Sequence, residues 1–201
     1  MEDEWKAKYP ALMDTLDMQV LARLVSQLPP NSKIVEIGSR VGGSAKVILD
    51  HAHTSTHLYC INEEWKRTAD EDPSVYLSMP GVILRFPEIL SYDSTYSYAK
   101  NLLSDYSNVT LIPGESPKDV QDWNLTVDFI FEDSCHTNPR LHDNIRFWWG
   151  KLVDNGIMVG HDYINRFPDV IYEANLLADQ EGCELHVEGE MWWVVKKSKE
   201  I

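Results

Sequence analysis

The stretch Lys33-Ile-Val-Glu-Ile-Gly-Ser-Arg-Val-Gly-Gly-Ser44 decides how the rest of this chain is read. Ile34, Val35 and Ile37 form a short β-branched run of the kind found in buried parallel strands, and Ala45 to Leu49 begins a helix. Gly38, Gly42, Gly43 and Ser44 lie in the turn between them. Glycines there let the backbone pass close to a ligand with no Cβ in the way. The helix that follows offers free N–H groups and the positive end of its dipole. Glu36 adds an acceptor for a ligand amine or hydroxyl. The turn reads as one that holds a ligand. Its spacing, Gly38-x-x-x-Gly42-Gly43, does not match the Gly-x-Gly-x-x-Gly of dinucleotide-binding turns. A nicotinamide oxidoreductase therefore has little support.

On the N-terminal side, Leu16, Val20, Leu21, Leu24, Val25 and Leu28 mark an amphipathic helix over residues 14–28, with Asp14 as N-cap and Pro29-Pro30 as the stop. On the C-terminal side, strand patterns recur at residues 57–62, 108–112, 127–133 and 157–161. Helical patterns between and after them cover residues 96–106, a short stretch from Ser116 or Pro117, a longer one from Pro139, and residues 168–181. Leu141, Ile145, Trp148 and Leu152 form the stripe of the helix from Pro139, with Thr137 or Asn138 as its cap and Asn155-Gly156 as its end. Residues 183–189 and 191–197 read as an antiparallel hairpin turning at Gly189-Glu190. Alternating strand and helix imply an α/β, doubly wound, mostly parallel sheet of seven strands with that hairpin at its C-terminal end. Residues 65–98 break the alternation. Pro73, Pro80, Gly81 and Pro87 stand there among Trp65, Tyr76, Phe86, Tyr92, Tyr96 and Tyr98, as in a lid over an organic substrate or a dimer contact.

A chain of 201 residues suits one domain with one sizeable core, preceded by a helical segment over residues 1–30. The formal net charge of -14 disfavours a nucleic-acid partner, and the one basic cluster, Lys196, Lys197 and Lys199, sits at a strand end. Three widely spaced cysteines, Cys60, Cys135 and Cys183, suit free thiols in a reducing compartment. No signal-like N-terminus and no bilayer-length apolar run is present, so the expectation is a cytoplasmic protein without a membrane partner.

Ligands of such sheets collect at the carboxyl ends of the strands. Glu36 and Gly38 come from the first strand, Asn62 and Glu63 from the second, and Gly114, Glu115 and Ser116 from the third. The fourth gives Glu132, Asp133 and His136; the fifth gives His161 and Asp162. Glu63 either accepts hydrogen bonds from ribose hydroxyls or opens the next helix, with Asn62 where the acid more often falls. Asp133 and Asp162 are hard oxygen donors suited to magnesium. His161, if it ligates, moves the preference toward manganese, iron or zinc. His136 has an intrinsic pKa suited to a general base, though a histidine after a strand is also a common structural hydrogen bonder. Cys135 lacks an activating base and reads as packing.

Glu36-x-Gly38-x-x-x-Gly42 resembles the first motif of class I S-adenosylmethionine-dependent methyltransferases. Three further segments, Val127-Asp-Phe-Ile-Phe-Glu-Asp-Ser-Cys-His136, Asp143-Asn-Ile-Arg-Phe-Trp148 and Asp154-Asn-Gly-Ile-Met-Val-Gly-His-Asp-Tyr163, narrow the likeness. They resemble the family of macrocin and mycinamicin O-methyltransferases and cephalosporin hydroxylase-like proteins, over roughly residues 31–175. The resemblance implies a Rossmann-like methyltransferase fold and S-adenosylmethionine held by Glu36, Gly38, Ser44, Asn62, Glu63, Glu115 and Ser116. Asp133 belongs to both this set and the metal set, Asp133, His161 and Asp162, and His136 is the base. The expected reaction is metal-assisted methylation of a hydroxyl on a small molecule, in a chain that forms a homo-oligomer or stays single. Asn62 and His161 depart from the family pattern, which keeps open a methyltransferase-like protein that binds without turnover.

Overall fold

The β-branched run becomes the central strand of the sheet. In the computed structural model, which describes residues 2–68, 71 and 74–198, helices α1 (Glu2–Lys8) and α2 (Thr15–Ser26) precede β1 (Lys33–Ile37). Then come α3 (Gly43–His51), β2 (His57–Asn62), α4 (Ser74–Leu77), α5 (Pro80–Arg85), α6 (Thr95–Leu102), β3 (Val109–Pro113) and β4 (Val127–Glu132). The chain continues through α7 (Arg140–Trp149), β5 (Leu152–Gly160), α8 (Pro168–Glu181), β6 (His186–Glu188) and β7 (Met191–Val195). The seven strands lie in the order β3-β2-β1-β4-β5-β7-β6. All neighbours up to β5 are parallel, and β7 runs antiparallel to both β5 and β6. This is the doubly wound sheet with a terminal hairpin that the sequence pattern implies.

Alternation along the strands fills both faces. Ile34, Leu58, Phe129 and Val159 join α2, α3 and α6 in one core, and Val35, Ile37, Ile130 and Met158 join α7 and α8 in the other. Trp148 of α7 is fully buried in the second core, where its indole N–H donates to Ser116 Oγ at 2.8 Å.

Three local expectations change. Asn155-Gly156 does not end α7, which stops at Trp149; it lies inside β5. Asn155 has φ 63°, and between Val127↔Leu152 and Phe129↔Ile157 the pairing with β4 slips, so the left-handed residue serves a bulge and Leu152 belongs to the strand. Ser116-Pro117 leads only into a 3-10 turn at Lys118–Val120. The N-cap of α7 is Pro139 rather than Thr137 or Asn138, because the helix begins only at Arg140; Asn138 Oδ1 accepts from His142 N at 3.1 Å from just outside the helix.

The described part of residues 65–98 is ordered by its own small core. Val75, Met79, Val82, Ile89 and Tyr98 pack with Val41 from the turn after β1. Arg85 ties this segment to the N-terminal one, donating to the carbonyls of Lys6 at 3.1 Å and Ala11 at 3.2 Å. Pro73 and Lys199 lie outside the described residues. Lys196 Nζ donates to the carbonyls of Trp149 and Leu152, so it fastens the sheet's end to α7. Among the described residues no helix is long and apolar enough to cross a membrane.

Trp148→Ala removes a filled volume and leaves Ser116 without its donor, so we expect a loss of about 3–5 kcal/mol in urea denaturation. Leu84, at 84% exposure, tests the contrast: Leu84→Ala changes stability by no more than about 0.5 kcal/mol. A Trp148→Ala loss below about 1 kcal/mol would contradict this packing.

Candidate functional site

The exits of β2, β1, β4 and β5 are fastened side by side by hydrogen bonds that continue past the strands. Gly38 N donates to Ile61 O at 2.9 Å, Asp133 N to Ile37 O at 2.9 Å, and His161 N to Glu132 O at 3.2 Å. Above these exits opens a cavity of about 430 Å³, within the range of small-molecule sites. Ser44, Asn62, Glu63, Ser116, Asp133, His136, His161 and Asp162 all line it, as does Gly38. The sequence-predicted residues therefore converge, with two exceptions. Glu36 lies beneath the turn: it is fully buried and its Oε2 accepts from Ser39 Oγ at 2.5 Å. Burial pushes its carboxyl upward against the pull of Ser39. Glu115 lies beside the cavity and pairs with Lys118 at 3.1 Å.

Gly38 is required by geometry. At φ +100° its Cβ would stand 2.1 Å from the Asp133 carbonyl oxygen, so only glycine lets β1 turn against β4. Gly43 answers a second close approach, since a Cβ there would meet the Pro10–Ala11 backbone at 2.4 Å. Pro10 to Met13 thereby becomes a wall of the cavity. The composition of that segment gave no sign of this role.

At the β2 exit, Asn62 is buried and its side-chain Nδ2 has no partner, a donor left for a ligand acceptor. Glu63 begins a 3-10 turn, Glu63–Lys66, and is held by Arg140 at 2.9 Å. Arg140 enters from the first turn of α7, and sequence reading passed over it. Residues 65–98 contribute Ser78 to the cavity, whereas none of their described aromatic rings lines it. Tyr76, Phe86, Tyr92 and Tyr98 fill the satellite core and its margin, and Trp65 and Tyr96 pack in the core of α2, α3 and α6. Trp65 donates from its indole to Arg40 O at 2.5 Å.

The β4 and β5 exits form an alternation of charge. His136 Nε2 lies 2.6 Å from Asp162 Oδ2, and its ring stacks on Phe167 with centroids 4.1 Å apart. The Asp162 contact raises the His136 pKa above its ordinary value against the opposing effect of burial. His161 Nδ1 faces Asp133 Oδ1 at 3.6 Å and Asp162 Oδ2 at 3.5 Å, while Nε2 faces Asp17 Oδ2 at 3.3 Å. Burial alone would make His161 neutral, but the three carboxylates outweigh it and lift its pKa to about 12. The same ring, with His136, holds Asp162 well below the usual carboxylate range despite burial. Asp162 also sits at φ 63°, a strained position for a residue with a side chain.

Asp17 is a further residue the sequence reading missed. It lies on the buried stripe of α2 and accepts from the Glu190 backbone at 2.9 Å, closing the hairpin turn over His161. An acid four residues before Leu21, on an apolar stripe, was the available signal. Glu132 is buried beside Asp133 and pushed up to about 7 by burial, with Ser134 opposing. Burial raises the Cys135 thiol to about 11, so it is no nucleophile.

Among the described residues, two groups could hold a metal ion: Asp133, His136 and Asp162, and His161, Asp162 and Glu190, each with ligand atoms within 4.8 Å of one another. Two carboxylates with an imidazole suit a divalent cation. The His161 proton already neutralises part of that charge.

The sequence matches the family described as "Methyltransferase domain" over residues 35–163. No curated protein matches the chain. Among solved structures, the O-methyltransferase TomG from Streptomyces achromogenes, involved in tomaymycin synthesis and solved with SAM, shares 12% identity at TM-score 0.66. That match covers 94% of this chain and 82% of that one. A methyltransferase from Geobacter sulfurreducens shares 14% identity at TM-score 0.64, covering 94% and 81%. Precorrin-6y C5,15-methyltransferase from Geobacter metallireducens shares 12% identity at TM-score 0.61, covering 90% and 87%. Likeness at these identities establishes a common fold.

The His161 pKa, raised from 6.5 to about 12, gives a test of the charge arrangement. Its stabilising contribution is complete below about pH 6.5 and is lost as pH climbs toward 12. In NMR of the metal-free protein, the His161 ring signals stay at their protonated positions from about pH 5 to about pH 9. Titration near 6.5 would show that the three carboxylates do not act on it.

Proposed function

We propose, from the premise that this chain belongs to the methyltransferase domain family and is an S-adenosylmethionine-dependent methyltransferase, that it methylates a hydroxyl oxygen of a small molecule with the help of a divalent cation. What carries the proposal is one juxtaposition: the glycine turn and the unpartnered Asn62 amide share a single cavity with the His136–Asp162 pair.

The residues present fit S-adenosylmethionine. Gly38 gives a close backbone approach, Asn62 and Glu63 would hold the ribose, and Ser116 would take the adenine edge; all four line the cavity. Glu36 acts from below by holding Ser39, and Arg140 fixes the Glu63 carboxylate. Bound there, the sulfonium supplies an electrophilic methyl group. Asp133 and Asp162 would hold a divalent cation, magnesium for an oxygen-rich set and manganese, iron or zinc where the His161 imidazole gives up its proton and ligates. The cation's chemistry there would be to lower the pKa of the acceptor hydroxyl and orient it. His136 removes the acceptor's proton: with Nε2–H donated to Asp162, Nδ1 is the nitrogen left to accept it. Asp162 then stabilises the imidazolium, and Phe167 keeps the ring in plane. We further propose that residues 1–201 act as one domain, working inside the cell and alone or as a homo-oligomer. In that reading the segment 65–98 serves as a lid or self-contact.

S-Adenosylmethionine should raise the melting temperature of the purified protein; no shift at saturating ligand would count against cofactor binding. His136→Gln lowers methyl transfer on the order of 10²- to 10⁴-fold, and added metal does not restore it. Asp133→Asn loses activity that excess metal partly restores. Turnover indifferent to chelators would remove the cation from the scheme.

Because Asp162 raises the His136 pKa above 6.5, the basic form accumulates only above that value. The acid limb of kcat/KM therefore lies above pH 6.5 and moves down in Asp162→Asn. A limb already complete below 6.5 would exclude His136 as the base.

A further inference from the structure

Three arginines line the cavity, and two of them are already neutralised by this chain. Arg140 is held by Glu63 at 2.9 Å, and Arg40 reaches Glu64 at 3.3 Å and Ser78 Oγ at 3.0 Å. Arg166, in the loop between β5 and α8, is different. It is exposed at the cavity rim, and among the described residues no carboxylate lies within ion-pair distance of it. The acids nearest in sequence are engaged elsewhere: Asp162 by His136 and His161, and Asp169 by the Asn138 backbone N–H.

Arg166 is nonetheless held in place. Its guanidinium carbon lies 5.3 Å from the centroid of Phe167, and Phe167 stacks on His136 at 4.1 Å. A guanidinium over an aromatic face keeps its in-plane N–H donors free, and these match two oxygens of one oxyanion. The protein is strongly acidic, with a formal net charge of -14. An uncompensated cation one ring away from His136 is therefore a specific feature of this rim.

We infer that the methyl acceptor carries an oxyanion, a carboxylate or a phosphate, which Arg166 binds while the hydroxyl to be methylated sits at His136. Arg166 is thus a specificity residue of the proposed reaction, and this assignment rests on the reading of the cavity as a methyltransferase site. A neutral acceptor would leave the guanidinium without a partner.

The test is calorimetric and needs no turnover. The protein saturated with S-adenosylhomocysteine is titrated with matched probes: 3,4-dihydroxybenzoate against its methyl ester, and glycerol 3-phosphate against glycerol. We expect at least one anionic member to bind on the order of tenfold more tightly than its neutral counterpart, the worth of a charge-assisted hydrogen bond. Which pair discriminates tells carboxylate from phosphate. Arg166→Gln abolishes the preference and Arg166→Lys keeps part of it, while S-adenosylhomocysteine affinity is unchanged in both. Equal binding within both pairs, no binding of any probe, or a preference that survives in Arg166→Gln overturns the inference. A drop in S-adenosylhomocysteine affinity also overturns it, because Arg166 would then serve the cofactor's own carboxylate. Methyl transfer is read separately with the same probes. An anion preference without oxygen methylation would refute the proposed reaction and leave oxyanion recognition standing.

Discussion

The structure depends on how closely the exit of β1 lies against the exit of β4. Gly38 turns with its Cα over the Asp133 carbonyl, a separation that any side chain would forbid. The Asp133 N–H in turn donates to Ile37 O. Two consequences follow from this one contact. The cofactor-type turn and the acid at the end of β4 share a wall, and the ladder carries on to His161 through Glu132 O. Residues more than 120 positions apart in sequence are thereby fixed around one cavity by backbone geometry alone.

On that frame the charges are balanced locally rather than globally. Asp17, Asp133 and Asp162 surround His161 and keep it cationic, which lets three carboxylates coexist in a buried space. His136 takes the remaining side of Asp162. A bound cation would compete with the His161 proton for the same two carboxylates, so metal uptake and proton release are coupled. Asp17 adds a structural coupling: it holds the hairpin turn and the imidazole together, so the N-terminal helix helps complete the site.

Much of this was legible in the chain. Periodicity placed all seven strands, the strand exits gathered the acids and histidines, and α8 matched residues 168–181 at both ends. Periodicity erred at Asn155-Gly156, where a helix-ending signal and a strand bulge need the same left-handed residue. Tertiary pairing with β4 decided between them. For the aromatic segment 65–98, composition says that rings will be buried and does not say against what. Tyr76, Phe86, Tyr92 and Tyr98 gather about Val41, Trp65 and Tyr96 join the core of α2, α3 and α6, and Ser78 faces the cavity. The arginines were passed over because their role depends on partners. Arg140 and Arg166 look alike in sequence, yet one is paired with Glu63 and the other, stacked on Phe167, meets no carboxylate among the described residues. Pro10 to Met13 could not be foreseen as a wall, since that follows from the space left at Gly43.

The central claim is that the cavity above the β1 and β4 exits places a methyl donor within reach of His136. A crystal structure of the complex with S-adenosylhomocysteine tests it most directly. The account predicts the ligand along the Gly38 turn, a ligand acceptor on Asn62 Nδ2, and the sulfur facing the His136 side of the cavity. A ligand seated instead in the neighbouring hollow at Pro117, Lys118 and Gln121, or with its sulfur turned away from His136, would contradict it.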